Sequence, residues 1–481
     1  TASAYIQQQT KGQYPAPGMA LETLLGGAIL SAEEALGLEA IGLSELFGSP
    51  VSSALINVFL LTDRNKKDRG VDQSKPEVQE INRVSVIGAG IMGAGIAAAN
   101  IKRGIHVKLN DARDEALESG IKGILDEVSF DKATKSKQVQ RAIDHAALLI
   151  GTRSQAEIAD VDLVIEAVVE NTELKKKIFA GLESHLGETT ILASNTSTLP
   201  ITTLAADLKH PERFVGIHFF NPVRKMKLVE IIRGEKTNDE TVASAVAYAK
   251  RLGKFPVVVG DGPGFLVNRL LFPYMNEAVV LLQEGVPLEQ IDKAAKKFGM
   301  PMGPIALYDM VGIDTSFYAG RTMYDAFPER TLVSPILPRL IKAGRLGQKS
   351  GQGFYAYPKK NDRGQLDPEL EPLISGYIEK SDEQLSTEQI QHRLMLPMLL
   401  EATRVMESGQ VRSPRDIDLG MIFGIGFPPF LGGLMYWADT VGADNLLKML
   451  EPFAGLGPRY QPTELLKSVA ESKGKFYDLA D

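Results

Sequence analysis

The chain has 481 residues, of which 44% are hydrophobic and 23% are charged, and its formal net charge is -7. This length allows about two to four domains, and the mild acidity argues against a nucleic-acid-binding protein. The absence of cysteine excludes disulfides, thiolate metal sites and a cysteine nucleophile. We find no apolar run long enough for a membrane span, no secretory signal and no metal-ligand motif.

Residues 1–80 are predicted to be helical, because YPAPGMALETLLGGAIL and SAEEALGLEAIGLSELF carry apolar residues at helical spacing. The polar stretch VDQSKPEVQEIN that follows predicts a linker ending near Asn82. We interpret the segment as a set of packing helices.

Residues 81–261 show short apolar strands that alternate with helical stretches. The predicted strands are RVSVIG, HVKLND, DLVIEAVVE, TTILASNT, RFVGIHFF, LVEII and FPVVVGD. This alternation is typical of an α/β domain, and we predict a Rossmann-type parallel sheet.

Residues 262–481 are predicted to be helical and contain an internal repeat. Segment 268–286 aligns with segment 392–411, and three matching pairs share one offset of 124 positions: Arg269 with Arg393, Pro273 with Pro397, and Glu277 with Glu401. We predict two related all-α domains, 262–360 and 385–481, joined by a linker at 361–384.

A dinucleotide site is predicted at Gly88, Gly90 and Gly93, which form GxGxxG between the first strand and a helix. The three glycines allow a tight turn, close approach of the backbone to a pyrophosphate, and close packing of helix on strand. Asp111 ends the second strand 18 residues after Gly93. Its carboxylate can bind ribose hydroxyls and repel a 2′-phosphate, which favours NAD over NADP.

His218 is the candidate general base among six histidines, because it ends an apolar strand of the cofactor domain. Glu230 follows twelve residues later on the next strand, where its carboxylate can orient the imidazole. The alternative for His218 is a structural residue of the core.

These residues resemble the L-3-hydroxyacyl-CoA dehydrogenase family. Five motifs match it in order: SNTS (194–197), HFFNPV (218–223), MKLVE (226–230), GPGFLVNR (262–269) and QKSGQGFY (348–355). The second repeat is similar to the tail of the bacterial multifunctional fatty-acid oxidation α-subunit. The resemblance implies NAD-dependent oxidation of an (S)-3-hydroxyacyl-CoA to a 3-ketoacyl-CoA in fatty-acid β-oxidation.

The resemblance also implies roles for single residues. His218 would be the general base, Glu230 its orienting partner, and Ser197 and Asn268 hydrogen-bonding partners of the reacting oxygen and bound substrate. The implied cofactor contacts are Gly88, Gly90, Met92, Gly93, Asp111, Val168, Val169, Glu170, Lys175, Ser197, Asn221 and Lys349. The implied substrate contacts are Ser197, Asn221, Asn268 and Tyr436. Core packing stays open for Val168, Val169 and Tyr436, a turn role for Ser197 and Asn221, and a solvated charge for Lys175 and Lys349.

The first 80 residues resemble the linker and terminal helices of the hydratase half of the same multifunctional protein. We expect the chain to be a fragment without enoyl-CoA hydratase activity. Expected partners are the acyl-CoA substrate, a thiolase subunit and the upstream hydratase domain, and a homo-oligomer stays open. The expected location is the bacterial cytoplasm, with the mitochondrial matrix as the alternative.

Two other functions remain open from the residues alone. One is a Rossmann dehydrogenase for hydroxy acids without CoA, and the other is a non-catalytic structural subunit of a β-oxidation complex. In the second repeat His392 stands where the first has Asn268, and no dinucleotide motif precedes it. We therefore expect the second repeat to support the first instead of forming another active site.

Overall fold

The computed structural model describes residues 1–71, 75–131, 133–154, 156–359, 362–379 and 384–480. The segment before the sheet is helical, as predicted, and contains four helices: α1 (Ala2–Thr10), α2 (Pro15–Gly27), α3 (Ala32–Leu46) and α4 (Pro50–Lys67). A capping box of Ser31 and Glu34 begins α3, and the Ser49 side chain caps α4, because both ends need acceptors for free backbone N–H groups. Part of the predicted linker, residues 72–74, lies outside the described residues.

Among the described residues, no single helix has the length and apolar composition to span a membrane. Helices α3 and α4 reach that length and composition only as a pair, with a bend of 77° between them.

Eight of the strands form one sheet in the spatial order β10-β9-β8-β7-β6-β1-β2-β5, and β3 and β4 form a separate small hairpin. The strands are β1 (Arg83–Ile87), β2 (His106–Asn110), β3 (Phe130–Asp131), β4 (Ser136–Lys137), β5 (Leu149–Thr152), β6 (Leu163–Glu166), β7 (Ile191–Ser194), β8 (Phe214–Phe219), β9 (Leu228–Arg233) and β10 (Phe255–Gly260). The helices of this region are α5 (Ile91–Ile101), α6 (Asp114–Ser129), α7 (Val139–Ala146), α8 (Thr172–Glu183), α9 (Ile201–Ala205) and α10 (Asp239–Arg251).

The prediction of a parallel sheet is correct for six strands and wrong for the last two. Strand β9 runs antiparallel to β8, and β10 runs parallel to β9. The reason is the connection at residues 220–227, which is too short for the crossover that a parallel neighbour requires. The strand order changes direction at β1, which lies between β2 and β6, so the carboxyl ends of β1 and β6 open a crevice.

The remaining helices lie in two groups that follow the predicted repeat. The first group is α11 (Val267–Gln283), α12 (Leu288–Phe298), α13 (Pro304–Val311), α14 (Ile313–Ala326), α15 (Ile336–Lys342) and α16 (Leu370–Ile374). The second is α17 (Thr387–Glu407), α18 (Pro414–Ile425), α19 (Leu434–Val441), α20 (Ala443–Leu450) and α21 (Glu464–Ser472). The predicted linker 361–384 contains α16, while residues 361 and 380–383 lie outside the described residues.

Helices α11 and α17 pack against each other through mirrored ion pairs. Arg269 Nε lies 2.7 Å from Glu401 Oε1, and Arg393 Nε lies 2.6 Å from Glu277 Oε1. All four side chains are buried, and each repeat supplies one arginine and one glutamate at the aligned positions. The repeat seen in the sequence is therefore an approximate twofold relation between two similar domains.

Candidate active site

The glycine turn between β1 and α5 has the shape that a pyrophosphate requires. Gly88 has φ 102°, and a Cβ there would lie 2.7 Å from the carbonyl oxygen of Ala167. A Cβ on Gly93 would lie 1.8 Å from the carbonyl oxygen of Gly88, whereas a Cβ on Gly90 would point into open space. The fold therefore needs glycine at two positions, and the space beside Gly90 at the N-terminus of α5 fits the phosphates of a dinucleotide.

Asp111 lies against this turn, as its position after β2 predicts. Its Oδ2 accepts a hydrogen bond of 2.9 Å from the amide of Ala89, and its Oδ1 accepts one of 3.0 Å from the amide of Arg113. The carboxylate thus stabilises the glycine turn, and its predicted contact with an adenosine ribose stays a prediction. The residues present fit NAD.

His218 and Glu230 face each other across the antiparallel pair β8 and β9. His218 Nδ1 lies 2.6 Å from Glu230 Oε2, and both side chains are buried. The other carboxylate oxygen of Glu230 accepts the amides of Leu266 at 3.1 Å and Val267 at 2.8 Å. Glu230 therefore connects the imidazole to the first turn of α11, a link that the sequence did not reveal.

Aromatic rings hold the imidazole in place. The ring centroid of His218 lies 4.5 Å from that of Phe220 and 5.9 Å from that of Phe265. Because a carboxylate only accepts hydrogen bonds, Nδ1 is the donor to Glu230, and in a neutral imidazole Nε2 then carries the lone pair. No residue in the described ranges bonds this Nε2. The geometry leaves His218 able to accept a proton.

Ser197 and Asn268 come together at the same edge of the sheet. The Asn268 Nδ2 donates to the carbonyl oxygen of Ser197 at 3.2 Å, and the Ser197 amide donates to Glu170 Oε1 at 2.9 Å. Asn268 lies in the first turn of α11, directly after Val267, whose amide Glu230 binds. Hydrogen bonds thus connect three predicted residues, Ser197, Asn268 and Glu170.

Glu170 and Lys175 are joined to a third charged residue, Glu166. The Lys175 ammonium lies 2.7 Å from Glu166 Oε1 and 3.2 Å from Glu170 Oε2. The Lys175 side chain is only 1% exposed, so the alternative of a solvated charge is wrong for it. Burial raises the pKa of Glu170, but the charge of Lys175 and hydrogen bonds from Thr196 and Ser197 outweigh burial and lower it.

The remaining predicted cofactor contacts are Met92, Val168, Val169, Asn221 and Lys349. Met92 lies in the first turn of α5, Val168 is partly buried, and Val169 is 69% exposed, so plain core packing is wrong for Val169. Asn221 is exposed in the turn between β8 and β9. Lys349 lies in the helical region, where its ammonium pairs with Asp314 at 2.7 Å. These contacts stay predictions.

Tyr436 lies within the second repeat. Its ring meets that of Tyr477 edge to face at 5.8 Å, and its amide donates to Asp418 at 3.0 Å. These contacts connect it to α18 and the C-terminal segment and not to His218. Its predicted substrate contact has no geometric support here.

Residues that the sequence did not single out complete the site. Asn195 Oδ1 accepts the amide of Phe219 at 2.9 Å, which connects the ends of β7 and β8 beside His218. Gln410 from the second repeat donates to the carbonyl oxygen of Phe265 at 2.8 Å. Glu166 could have been found in the sequence, because it is a charge within the apolar run DLVIEAVVE, as Glu230 is within LVEII. Among the described residues, no group of three or more His, Asp or Glu could hold a metal ion.

Comparisons with protein families agree with this arrangement. The family described as 3-hydroxyacyl-CoA dehydrogenase, NAD binding domain, matches residues 83–262. The family described as 3-hydroxyacyl-CoA dehydrogenase, C-terminal domain, matches residues 264–357 and again residues 390–476. The double match follows the internal repeat.

Comparisons with single proteins give the same result. The fatty acid oxidation complex subunit alpha of Pseudomonas syringae pv. syringae is 42% identical, over 100% of this chain and 67% of the relative. The 3-hydroxybutyryl-CoA dehydrogenase of Escherichia coli is similar with a TM-score of 0.72 and 28% identity, over 82% of this chain and 99% of that structure. The dehydrogenase part of multifunctional enzyme 1 from C. elegans is similar with a TM-score of 0.61 and 29% identity, over 86% of this chain and 96% of that structure.

Proposed function

The chain belongs to the 3-hydroxyacyl-CoA dehydrogenase family, and we propose that His218 is the general base of its NAD-dependent oxidation of a 3-hydroxyacyl-CoA to a 3-ketoacyl-CoA. The observation that carries the assignment is the buried 2.6 Å hydrogen bond between His218 Nδ1 and Glu230. It fixes the tautomer in which Nε2 is free to take the proton of the 3-hydroxyl.

Glu230 acts as the orienting partner of His218. Its carboxylate stabilises the imidazolium that forms on proton transfer, and its two backbone hydrogen bonds at the start of α11 keep it from rotating. The reaction needs a base within hydrogen-bonding distance of the hydroxyl and a fixed direction for its lone pair. This pair provides the fixed direction.

Ser197 and Asn268 are assigned as hydrogen-bonding partners of the reacting oxygen and the bound substrate. Ser197 is also assigned as a cofactor contact. Both side chains are polar and do not titrate near neutral pH, and the Asn268 side chain donates a hydrogen bond to the backbone carbonyl of Ser197. Such donors stabilise an oxygen as its charge changes, without adding a competing proton.

The residues at the glycine turn hold the cofactor. Gly88, Gly90 and Gly93 shape the phosphate cradle, and Asp111 receives the ribose hydroxyls, while Met92, Val168, Val169, Glu170, Lys175, Asn221 and Lys349 are assigned to the remainder of the cofactor site. Bound NAD supplies the hydride acceptor. The chain itself aligns the reactants and moves the proton.

The name of a relative and the exposed surface support the proposed partners. The Pseudomonas relative is named as a subunit of a complex, and we assign a thiolase subunit and an upstream hydratase region as partners. Apolar side chains just after two of the N-terminal helices support such a neighbour, since Ile29 after α2 is 89% exposed and Phe47 after α3 is 74% exposed. We assign the chain to the bacterial cytoplasm instead of the mitochondrial matrix, because this relative of high identity comes from a bacterium.

The substrate class is tested with NADH and two carbonyl compounds. We expect loss of absorbance at 340 nm with acetoacetyl-CoA and no loss with free acetoacetate. Equal rates with both compounds would favour a hydroxy-acid dehydrogenase. No reaction with either, in a chain that binds NADH, would favour the non-catalytic subunit.

A further inference from the structure

A buried ion pair of Glu166 and Lys175 lies where β6 ends at the cofactor crevice. The Glu166 side chain is fully buried and that of Lys175 is 1% exposed. The Lys175 ammonium contacts both carboxylate oxygens, at 2.7 Å and 2.8 Å. Two charges taken out of water in this way contribute little net stability, because loss of hydration offsets their attraction. A packing role alone does not explain the pair.

Glu166 also binds the two chain segments on either side of it. Its Oε1 accepts the amide of Val168 at 2.6 Å, and its Oε2 accepts the Ser194 hydroxyl at 2.6 Å. The Ser194 oxygen in turn accepts the amide of Thr196 at 3.3 Å. One carboxylate therefore holds the start of segment 168–170 and the start of the turn that carries Ser197.

Lys175 extends the network to Glu170, which holds the other end of that turn. Glu170 Oε1 accepts the Thr196 hydroxyl at 2.5 Å, the amide of Ser197 at 2.9 Å and the amide of Thr198 at 3.1 Å. The turn 194–198 is thus bound from both ends by carboxylates that share one ammonium. Its conformation depends on the position of Glu166.

We propose that Glu166 is a positioning residue for hydride transfer, acting through Ser194, Lys175 and Glu170 on the turn that places Ser197. The inference rests on the proposed function, because Ser197 has its role only there. Glu166 has no free oxygen for substrate or cofactor, since each of its oxygens is already bound inside the protein. Its contribution is geometric, and small displacements of a reacting group cost about 100-fold in rate.

The test is a double-mutant cycle. For each variant, kcat is calculated from the concentration of protein that binds NADH. Glu166→Gln keeps the side-chain size but removes the charge, and we expect kcat to fall about 10- to 100-fold. In a Ser197→Ala background the same change should lower kcat by less than about threefold, because the group being positioned is gone. Equal losses in both backgrounds would overturn the proposal.

Asp162→Asn is the matched control, because Asp162 precedes the same strand and also binds backbone amides, those of Asn82 and Arg83. It lies at the other end of β6, and we expect its kcat to stay near that of the wild type. A loss like that of Glu166→Gln would show a general effect of the strand and would contradict the proposal.

Ser194→Ala serves if Glu166→Gln does not fold, because it removes one bond of the network without leaving a charge unpaired. We expect a smaller fall in kcat that again disappears in the Ser197→Ala background, and persistence of the fall there would overturn the proposal. An inactive wild-type chain would count against the proposed function instead, so the two failures are distinguishable.

Discussion

At the scale of single residues, the three glycines of the cofactor turn differ in what an added methyl group would meet. Gly93→Ala would press against the carbonyl of Gly88, while Gly90→Ala would extend into open space. We predict that Gly90→Ala keeps the Tm of the wild type and binds NADH at least about tenfold more weakly, because the methyl occupies the phosphate space. Thermal unfolding and NADH fluorescence titration check this. Unchanged affinity would contradict the phosphate assignment.

Asp111 combines a structural and a recognition role, and two substitutions separate them. Asp111→Asn can still accept the amide of Ala89, whereas Asp111→Ala cannot. We predict that both variants reduce the preference for NAD over NADP, because each removes the charge that repels a 2′-phosphate. Only Asp111→Ala should also weaken the turn and lower the Tm. The ratio of kcat/KM for the two cofactors is the measurement, and an unchanged ratio would refute the ribose role.

The sequence singled out most residues of the candidate site and predicted the pairing of His218 with Glu230, but it did not reveal the other hydrogen bonds among them. His218 and Glu230 were visible because each breaks an apolar strand with a group that needs a partner. The burial of Lys175 could not be predicted, since a lysine on a helix normally extends to solvent, and only the fold brings its ammonium to Glu166 at the end of β6. Gln410 could not be found, because its contact with Phe265 joins positions 145 residues apart.

At the scale of elements, each repeat has a buried aspartate that accepts hydrogen bonds from backbone amides at the N-terminus of a helix. Asp418 accepts the amides of Met435 and Tyr436 and the Tyr477 hydroxyl, as Asp292 accepts those of Ile305 and Ala306 and the Tyr355 hydroxyl. Burial raises the pKa of Asp418 to about 7, although these hydrogen bonds oppose it. The aspartate therefore stays protonated in the folded chain at pH values where an unfolded chain releases its proton.

This difference predicts how stability changes with pH. The unfolded pKa is about 3.9, so the contribution of Asp418 is fully present below about pH 4 and is lost as pH rises through about 7. Asp418→Asn has no proton to lose. We predict that the Tm of the variant minus that of the wild type increases between pH 4.5 and pH 7.5. A difference that stays constant or decreases would contradict the buried, protonated state.

The apolar runs in the sequence predict the positions of strands but not the edge strand β5 or the direction of β9. Seven apolar runs were predicted as strands and all seven are strands. Strand β5 was missed because LIGT is short, contains glycine and lies at the sheet edge, where Ile150 is 58% exposed. The direction of β9 depended on the length of one connection and not on the composition of the strand.

At the scale of the whole molecule, the mirrored ion pairs connect the two repeats. Glu401 lies 2.7 Å from Arg269, 2.9 Å from Arg330 and 3.3 Å from Arg404. We predict that Glu401→Gln destabilises the chain by about 3–5 kcal/mol, because it leaves buried arginines without their carboxylate. A lower Tm is the measured effect. Glu329→Gln removes the exposed partner of Arg330 and should change stability by less than about 0.5 kcal/mol.

Equal Tm values for the Glu401 and Glu329 variants would show that the interface between the repeats does not depend on these pairs. The repeat itself was predictable, since its identities keep one offset. The contact between the second repeat and the site was not predictable, because only the structure shows that Gln410 binds the carbonyl of Phe265, whose ring lies 5.9 Å from that of His218.

The assignment of His218 as the general base is tested most directly by the rate of single-turnover hydride transfer in His218→Gln. The affinity for NAD is determined on the same protein. We expect a rate lower by about 100-fold or more, because Gln cannot take the hydroxyl proton, with NAD binding and Tm close to those of the wild type. A near-normal rate in a folded, NAD-binding variant would contradict it.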